Sequence, residues 1–329
     1  MRKIRNMKLK SLICHIVLGI FIFGSLMMTS CNIFEENLPE CSLSVKFKYD
    51  YNMLFTDAFH TQVDKVELYV FDKDGNFLFK QMEEGASLAT GHYFMTVPLP
   101  VGEYQFMAWA GARDSYDITS LDANVSSITD LKLRLKREES LIINKKLEPL
   151  WYGVIQNINF TGTKNQTEVI NLIKDTNKVR FIFQNYSESE AGDKWSLNMN
   201  DYEYEVIESN GHLNYDNSLL DDDVLSFRPY YMEQKNPSLV AVEMNTMRLV
   251  EDRPTRFVVT EKSTGKRVFS INMVDFFAMT NMESHDMKLQ EYLDREDEYK
   301  ITFFFSDSWN AVQININGWT WYQQTEGDI

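Results

Sequence analysis

Apolar and polar residues alternate with a period of two along much of the chain from residue 42 onward. In the first such segment, polar residues separate four apolar ones, which are Leu43, Val45, Phe47 and Tyr49. Successive side chains of a β-strand point to opposite faces, so this alternation predicts a strand with one buried and one exposed face. We therefore expect a first strand whose four apolar side chains lie in a core.

The same alternation recurs along the chain, and helical periodicity is scarce. An Asp-Gly turn within residues 72–76 predicts a hairpin. Two short helices are expected, a single turn within residues 56–62 and a helix capped by Ser284. Further strands are predicted near residues 66–70, 77–79, 104–108, 131–135, 179–183, 257–259, 268–271, 299–305 and 312–316. Many short strands joined by polar turns predict an all-β protein built of antiparallel sandwiches.

A polar stretch at residues 161–165 separates two apolar segments and is the predicted domain boundary. With roughly 100–200 residues per domain, the length of the chain favours two domains. We expect an N-terminal β-sandwich over residues 42–163 and a C-terminal β-sandwich over residues 164–329.

The first thirty residues have the pattern of a secretory signal, with a basic start and an apolar run over residues 12–28. Thr29 and Ser30 are small residues directly before Cys31, and this ending resembles a bacterial lipobox. The pattern predicts cleavage after residue 30, lipid on the Cys31 thiol and a tether over residues 31–41. An uncleaved membrane anchor is the alternative, since the run approaches the roughly 20 residues of a spanning helix.

The charge balance limits the classes of partner. The formal net charge is −15, and residues 1–30 carry five of the 33 basic residues and none of the 48 acidic ones. The processed chain would thus hold 28 basic and 48 acidic residues, a net charge of −20. Such a chain is not expected to bind nucleic acid, which requires clustered Lys and Arg, and it would be repelled by an anionic membrane surface. Lipid on Cys31 must then hold it at the outer membrane.

Candidate chemistry is sparse, and we expect no enzyme activity, no metal and no cofactor. Cys41 is the one thiol that processing would leave unmodified, so no disulfide is expected. The four histidines after the signal show no metal-ligand spacing, and no nucleotide-binding or nucleophile motif occurs. A carboxylate pair of a glycoside hydrolase would need only spatial proximity, so a hydrolase stays open. Three tryptophans could stack on sugars or pack in a core, namely Trp309, Trp319 and Trp321.

Several motifs resemble, in order, the FimB/Mfa-type fimbrial anchor family of Bacteroidales. The opening similarity covers residues 47–53 (FKYDYNM), 57–59 (DAF) and 63–72 (VDKVELYVFD). The later similarities are at residues 98–104 (PLPVGEY), 108–111 (AWAG), 150–153 (LWYG), 292–299 (YLDREDEY) and 316–319 (INGW). Together they extend over nearly the whole chain after the signal.

The resemblance implies two transthyretin-like β-sandwiches in tandem, a lipoprotein on the cell surface and a fimbria built by strand exchange. It also implies related stalk subunits that lose an N-terminal strand to an Arg-specific protease. Glu35 and Glu36 resemble an export signal that places bacterial lipoproteins on the cell surface, although a solvated tether explains them equally well. No Arg occurs between Cys31 and Arg113, so such a protease could not release residues 43–50 alone.

The sequence therefore predicts a surface lipoprotein that anchors or initiates a fimbria as a base or accessory subunit. Its partners would be stalk or accessory subunits, contacted through β-strands. The segment from Trp319 to Ile329 is one expected contact, and another sheet edge or loop is the alternative. A surface glycan-binding lipoprotein or a fimbrial tip adhesin is the other reading of the same features.

Overall fold

The computed structural model describes residues 41–185, 197–284, 287–306 and 308–322. Its first ten strands alternate with short turns, as the period-two pattern predicts. They are β1 (Leu43–Lys48), β2 (Lys65–Asp72), β3 (Phe77–Glu84), β4 (Met95–Val97), β5 (Gly102–Ala110), β6 (Tyr116–Ile118), β7 (Leu133–Leu135), β8 (Ile142–Ile143), β9 (Trp151–Phe160) and β10 (Gln166–Lys174).

Eleven further strands follow, so the all-β prediction is confirmed. They are β11 (Thr176–Asn185), β12 (Tyr202–Glu208), β13 (His212–Leu213), β14 (Leu225–Phe227), β15 (Tyr231–Asn236), β16 (Leu239–Met247), β17 (Arg256–Glu261), β18 (Lys266–Asn272), β19 (Glu298–Phe305), β20 (Ala311–Ile316) and β21 (Trp319–Tyr322).

Helices are short, and one was misplaced by the sequence pattern. The α-helices are α1 (Phe59–Gln62), α2 (Met273–Ser284) and α3 (Leu289–Arg295), with 3-10 turns at Leu88–Thr90, Ile128–Asp130 and Met199–Asp201. Ser284 ends α2 and does not cap the next helix, whose N-cap position is Lys288. The apolar spacing of α3 was visible in the sequence, but a Ser signals a helix start only when the preceding chain is not already helical.

The first sheet has seven strands in the order β3-β2-β5-β9-β10-β1-β4. Strands β9 and β10 share only three residue pairs, so the sheet turns a corner there and folds over itself. The Gln81 side chain of β3 donates from Nε2 to the Thr96 carbonyl of β4 over 3.1 Å. This bond joins the two edges of the sheet, and the interior between its faces forms one core.

The outer face of this sheet is buried too. All six central residues of β2 are buried, although a strand with one solvated face would alternate. Tyr69, Phe71, Met107 and Trp109 belong to a core that continues into the second half of the chain. Because one sheet contributes to two cores, β2 and β5 read as nearly continuous apolar runs.

The second half packs a six-stranded sheet on a five-stranded one. The orders are β15-β16-β11-β19-β20-β21 and β18-β17-β12-β14-β8. Phe181 of β11 stacks on Phe257 of β17 with 3.8 Å between ring centroids, so aromatic rings fill the space between these sheets. Phe183 and Phe303 extend the same cluster at 5.8 Å. Such pairs add specific geometry to the burial of apolar area.

Strands from the first half also complete sheets of the second half. β7 pairs with β13, and β8 pairs with β14. Conversely β10, which follows the predicted boundary at residue 163, pairs with both β9 and β1. The polar stretch at residues 161–165 is thus a connection within the first sheet, which extends to Lys174. A hairpin turn and an interdomain linker share the same polar composition, so composition alone could not separate them.

Candidate functional site

β1 lies inside the first sheet and not at its edge. It pairs in parallel with β10 over six residue pairs, from Leu43 opposite Gln166 to Lys48 opposite Asn171. On its other side it pairs antiparallel with β4 over three residue pairs. Its start is held by Ser42, whose amide donates to the Asn165 side chain over 2.9 Å. Main-chain hydrogen bonds on both sides make β1 an integral strand.

The four apolar residues predicted to face a core are all buried in the structure: Leu43, Val45, Phe47 and Tyr49. Phe47 stacks on Phe59 of α1 with centroids 5.8 Å apart, and Tyr49 meets Trp151 of β9 edge-on at 5.9 Å. Each large apolar side chain contributes about 1.5–3 kcal/mol when fully buried. Removing β1 would therefore open the first core along the length of the strand.

The opposite face of β1 is half-exposed and basic. Lys46 and Lys48 are partly open to solvent, and the Lys48 ammonium lies 2.5 Å from the Asp50 carboxylate. Exposed ion pairs contribute little to stability, so this face imposes few constraints on the fold. The two faces of β1 thus differ as the alternation predicts.

The first Arg after the predicted lipid site lies beyond five strands. Arg113 follows β5, and its guanidinium contacts Asp64 at 3.1 Å and Glu84 at 2.6 Å. Cleavage after Arg113 would separate β1 to β5 from the rest of the chain, and would not free β1 alone. Cys31 and the residues up to 40 lie outside the described residues, and Cys41 is a half-buried free thiol.

The chain's last described strand, β21, lies at the edge of the six-stranded sheet. It pairs antiparallel with β20, from Trp319 opposite Ile316 to Tyr322 opposite Gln313. An edge strand presents one row of amide and carbonyl groups to which another strand can add. Residues 323–329, the remainder of the predicted C-terminal contact, lie outside the described residues.

The predicted turns and acidic runs have structural roles. The Asp72 carboxylate accepts hydrogen bonds from the amides of Asp74 and Asn76, which close the hairpin and lower the pKa of Asp72 against the cost of desolvation. In the acidic run at residues 221–223, Asp222 is ion-paired at 2.5 Å with Arg137. Within the described residues, no three His, Cys, Asp or Glu side chains are grouped closely enough to hold a metal ion.

Trp309 packs against other aromatic rings. Its ring lies 4.9 Å from that of Tyr202, 5.3 Å from Phe305 and 5.7 Å from Phe183, centroid to centroid. Of the two readings of the tryptophans, the structure supports core packing for Trp309. The side chains of Trp319 and Trp321 lie outside what the structure describes.

A buried polar cluster at the junction of the two halves was not visible in the sequence. Asp175, between β10 and β11, is completely buried, and its Oδ1 accepts from Asn217 Nδ2 over 2.9 Å. Arg248 makes a two-pronged ion pair with Asp294 of α3 at 2.7 and 2.8 Å. Burial raises the pKa of Asp175 to about 7, and the Arg248 charge opposes this shift. These residues are separated by up to 119 positions, so no local pattern could have grouped them.

The helices of the described ranges all fall short of the length and apolar character that a membrane span requires.

Solved structures with the same architecture come from related bacteria. A Bacteroides thetaiotaomicron protein described as a candidate polysaccharide binding protein is 67% identical, with a TM-score of 0.82, covering 88% of this chain and 100% of that one. A candidate adhesin from the same species is 25% identical, with a TM-score of 0.76 and the same coverage. The fimbrial anchor protein Mfa2 from Porphyromonas gingivalis is 20% identical with a TM-score of 0.68 over 87% of this chain, which shows a shared fold.

The sequence comparison extends over the same length. The minor fimbrium anchoring subunit Mfa2 of Porphyromonas gingivalis is 22% identical over 331 residues, 97% of each chain. The family model described as "Fimbrillin-A associated anchor proteins Mfa1 and Mfa2" matches residues 38–325. This chain therefore belongs to the family of fimbrillin-A associated anchor proteins, a family of anchors and not of enzymes, as its motifs had indicated.

Proposed function

We propose that this chain is a lipid-anchored base or accessory subunit that holds or initiates a fimbria at the cell surface. Family membership supports the fimbrial role and an association with fimbrial subunits. The observation that carries the finer proposal is the interior position of β1, paired on both sides and buried on one face. A subunit that keeps this strand also keeps its connection to the tether.

The physical basis is a contrast with a stalk subunit that gives up its first strand. Loss of such a strand opens a groove where a donated strand can supply main-chain hydrogen bonds and fill side-chain pockets. In this chain β1 fills that place, and no Arg precedes Arg113 after the predicted tether. The proposed anchor therefore accepts no donated strand in place of β1, and the series of strand exchanges along the fimbria ends at this subunit.

The contact with the fimbria would use a surface other than β1. The edge strand β21 and the residues that follow it are one such surface, because β21 has a strand partner on one side within the described residues. The lipid on Cys31 would attach the protein to the outer membrane. Stable attachment requires that this lipid carry about two acyl chains.

The experiment compares Cys31→Ala with Cys41→Ala in a strain that makes fimbriae. We expect Cys31→Ala to lose fatty-acid labelling and to move fimbriae from the cells into the medium, whereas Cys41→Ala keeps both. Retention of fimbriae on cells that carry an unlipidated protein would contradict the proposal. Labelling that persists in Cys31→Ala would contradict the assignment of the lipid site.

Glycan binding is the second candidate, favoured by the 67% identical relative that is described as a candidate polysaccharide binding protein. A tip adhesin belongs to the same class of function. Purified protein on a glycan array tests this directly, and immunogold labelling tests the position. Specific glycan signals with gold particles at the free ends of fimbriae would replace the anchor proposal by this one.

A further inference from the structure

A fully buried carboxyl group lies at the connection between the first sheet and the six-stranded sheet. Asp175 is the residue between β10 and β11, and it has no solvent exposure. Its amide donates to the Leu150 carbonyl over 2.8 Å, which fixes the main chain at this position. The carboxyl group therefore reaches water only when the structure opens locally.

One cation serves two buried carboxyl groups in this cluster. The Arg248 guanidinium donates from Nε and Nη2 to the two oxygens of Asp294, and from Nη1 to the Asn217 carbonyl over 2.9 Å. Asp294 is itself buried, so this two-pronged pair matches one positive charge with one negative charge. An ionised Asp175 would be a further buried charge, to which the described residues offer no ion pair. Because an unpaired buried charge is costly, the neutral acid is the favoured form of Asp175.

The hydrogen bonds between Asp175 and Asn217 point to the same protonation state. Asn217 Nδ2 donates to Asp175 Oδ1 over 2.9 Å. The second oxygen of each group, Asp175 Oδ2 and Asn217 Oδ1, is a buried acceptor for which the described residues supply no donor. A carboxylic acid complements an amide, since the acid O–H donates to the amide oxygen while the amide N–H donates to the acid. A proton on Asp175 supplies the donor that this pair lacks.

Asn217 carries this contact on a turn of defined shape, formed by residues 214–218 after β13. Its backbone has a φ of 66°, a left-handed conformation that Asn tolerates better than most residues. The amides of Asn214, Asn217 and Leu220 donate to main-chain carbonyls within or beside the turn. The Asn217 side chain thus links an ordered turn directly to the connection between β10 and β11.

The other ionisable groups around this pair do not titrate in its place. They are Tyr116 at the start of β6, Glu148 before β9, Tyr152 of β9, Asp216 of the turn, Arg248 after β16 and Asp294 of α3. Burial raises the pKa of both tyrosines, so their phenols stay neutral near pH 7. Burial is also the largest influence on Asp175, and it raises the pKa of that carboxyl to about 7 against the opposing charge of Arg248.

We propose that Asp175 and Asn217 form a proton-dependent latch, in which protonated Asp175 fastens the turn of residues 214–218 to the connection between β10 and β11. When the carboxyl group gives its proton to water, it accepts hydrogen bonds but no longer donates one. The pair then keeps the bond from Asn217 Nδ2 alone, and the turn is held less tightly. This device acts on local structure and goes beyond the anchoring function, which does not depend on it.

The direction of the pH dependence follows from proton binding. In the closed latch Asp175 keeps its proton up to about pH 7, whereas in an opened turn its pKa would be the ordinary one of an Asp, about 3.9. Opening therefore releases a proton between these two values, and the opened fraction rises about tenfold per pH unit across that window. Above it Asp175 is ionised in both states, and the opened fraction levels off.

Hydrogen–deuterium exchange of residues 214–220 tests the latch. It is measured by mass spectrometry on the purified full chain and corrected for the intrinsic pH dependence of exchange. We expect the corrected exchange of the wild type to rise at least tenfold between pH 5 and pH 7 and to level off above pH 8. Asp175→Asn keeps a donor at every pH and should exchange slowly without this rise. A wild type that lacks the rise, or an Asp175→Asn variant that retains it, overturns the latch.

Glu296→Gln is the matched control. Burial raises the pKa of Glu296 to about 7 as well, but its carboxylate accepts from the Glu298 amide and not from the turn. This variant should therefore keep the rise of the wild type. Loss of the rise in Glu296→Gln would assign the pH dependence to the wrong carboxyl group and overturn the latch.

Infrared spectroscopy tests the proton on the wild-type sequence, so its result does not depend on the folding of a variant. At pH 6, Asp carboxyl groups with the ordinary pKa of about 3.9 are ionised. Protein with ¹³C-labelled Asp should nevertheless show the band of a protonated carboxylic acid, and Asp175→Asn should lose it. Absence of a labelled acid band from the wild type at pH 6 would show that Asp175 is ionised and overturn the proposal.

Discussion

The first and last described strands, β1 and β21, lie in opposite situations. β1 is enclosed by β10 and β4, whereas β21 pairs with β20 at the edge of its sheet. An enclosed strand cannot be exchanged without loss of the core that it covers, and an edge strand keeps one row of hydrogen-bonding groups available. Within the described residues, the beginning of the chain is thus built into the interior of its sheet, whereas the last strand lies at a sheet edge.

The largest expected effect comes from a charge on the buried face of β1. Phe47→Asp would bury an unpaired carboxylate in the first core and remove the stacking on Phe59. A loss above about 5 kcal/mol is expected, comparable to the whole stability of a typical domain. Thermal unfolding followed by circular dichroism would show no cooperative transition.

Lys46→Asp is the matched control on the opposite face of the same strand. Surface substitutions usually change stability by less than about 0.5 kcal/mol. Equal melting temperatures for Phe47→Asp and the wild type would show that the strand does not need its buried face.

The second prediction concerns Asp175, the residue between β10 and β11. β10 pairs with β1 in the first sheet, and β11 belongs to the six-stranded sheet that has β21 at its edge. Its folded pKa is raised to about 7, and the ordinary value of an Asp is about 3.9. Between these values the folded state binds more protons than the unfolded state, so this group's contribution to stability falls as pH rises through that window. Asp175→Asn should therefore be more stable than the wild type at pH 8, by up to about 4 kcal/mol, and nearly equal to it at pH 4.

The geometry explains why an amide suits this position. Asp175 Oδ2 and Asn217 Oδ1 are buried oxygens without a hydrogen-bond partner. A protonated Asp175 carries an O–H donor, and an Asn in its place carries N–H donors. Either one supplies a hydrogen-bond donor at a place where the ionised carboxylate offers acceptors only. Asp294→Asn is the control, because it breaks the pair with Arg248 and should destabilise at pH 8. A variant Asp175→Asn that is less stable than the wild type at pH 8 would show that the ionised form is needed.

The third prediction sharpens the role of the edge strand. Deletion of residues 320–329 removes most of β21 but leaves β20 and the aromatic core of the second half. We expect a folded, surface-located protein that releases fimbriae into the medium, measured by antibody on cells and in supernatants. Normal retention of fimbriae would remove this end of the chain from the contact.

The smallest effect is expected at the side-chain hydrogen bond that joins the edge strands β3 and β4 of the first sheet. Gln81→Ala removes the side-chain bond between β3 and β4 and should cost about 0.5–1.5 kcal/mol in unfolding free energy. Gln156→Ala is the control, since Gln156 donates to the carbonyl of Val154 on its own strand. Urea unfolding of both variants measures the difference in unfolding free energy. An equal loss would show that the bond between β3 and β4 adds no more stability than a bond within one strand.

Local patterns in the sequence predict the first strand well, but they do not indicate that β10, which follows the polar stretch at residues 161–165, joins the first sheet. Strict alternation over residues 43–49 can place its apolar side chains on only one side of a strand. The strand predicted at residues 131–135 is shorter, β7, because Ile128–Asp130 forms a 3-10 turn immediately before Leu131. Local spacing specifies faces, but it does not specify which sheet a strand joins.

Long-range pairings account for what the sequence could not predict. The contact of Arg295 with Tyr51 joins residues far apart in the chain, and neither has a local signal for it. The same holds for Asp175 and Asn217.

The parallel pairing of β1 with β10 also has a kinetic consequence. Ser42 and Asn165, which close this pairing, are separated by 123 positions. Because closing so long a loop costs entropy before any contact is gained, such pairings form late and slowly. β1 can pair early with β4, but its other side must wait until β10 has been synthesised and exported. A chain lipidated at its start would complete its first sheet while already attached, so its folding would take place at the membrane and not in bulk solution.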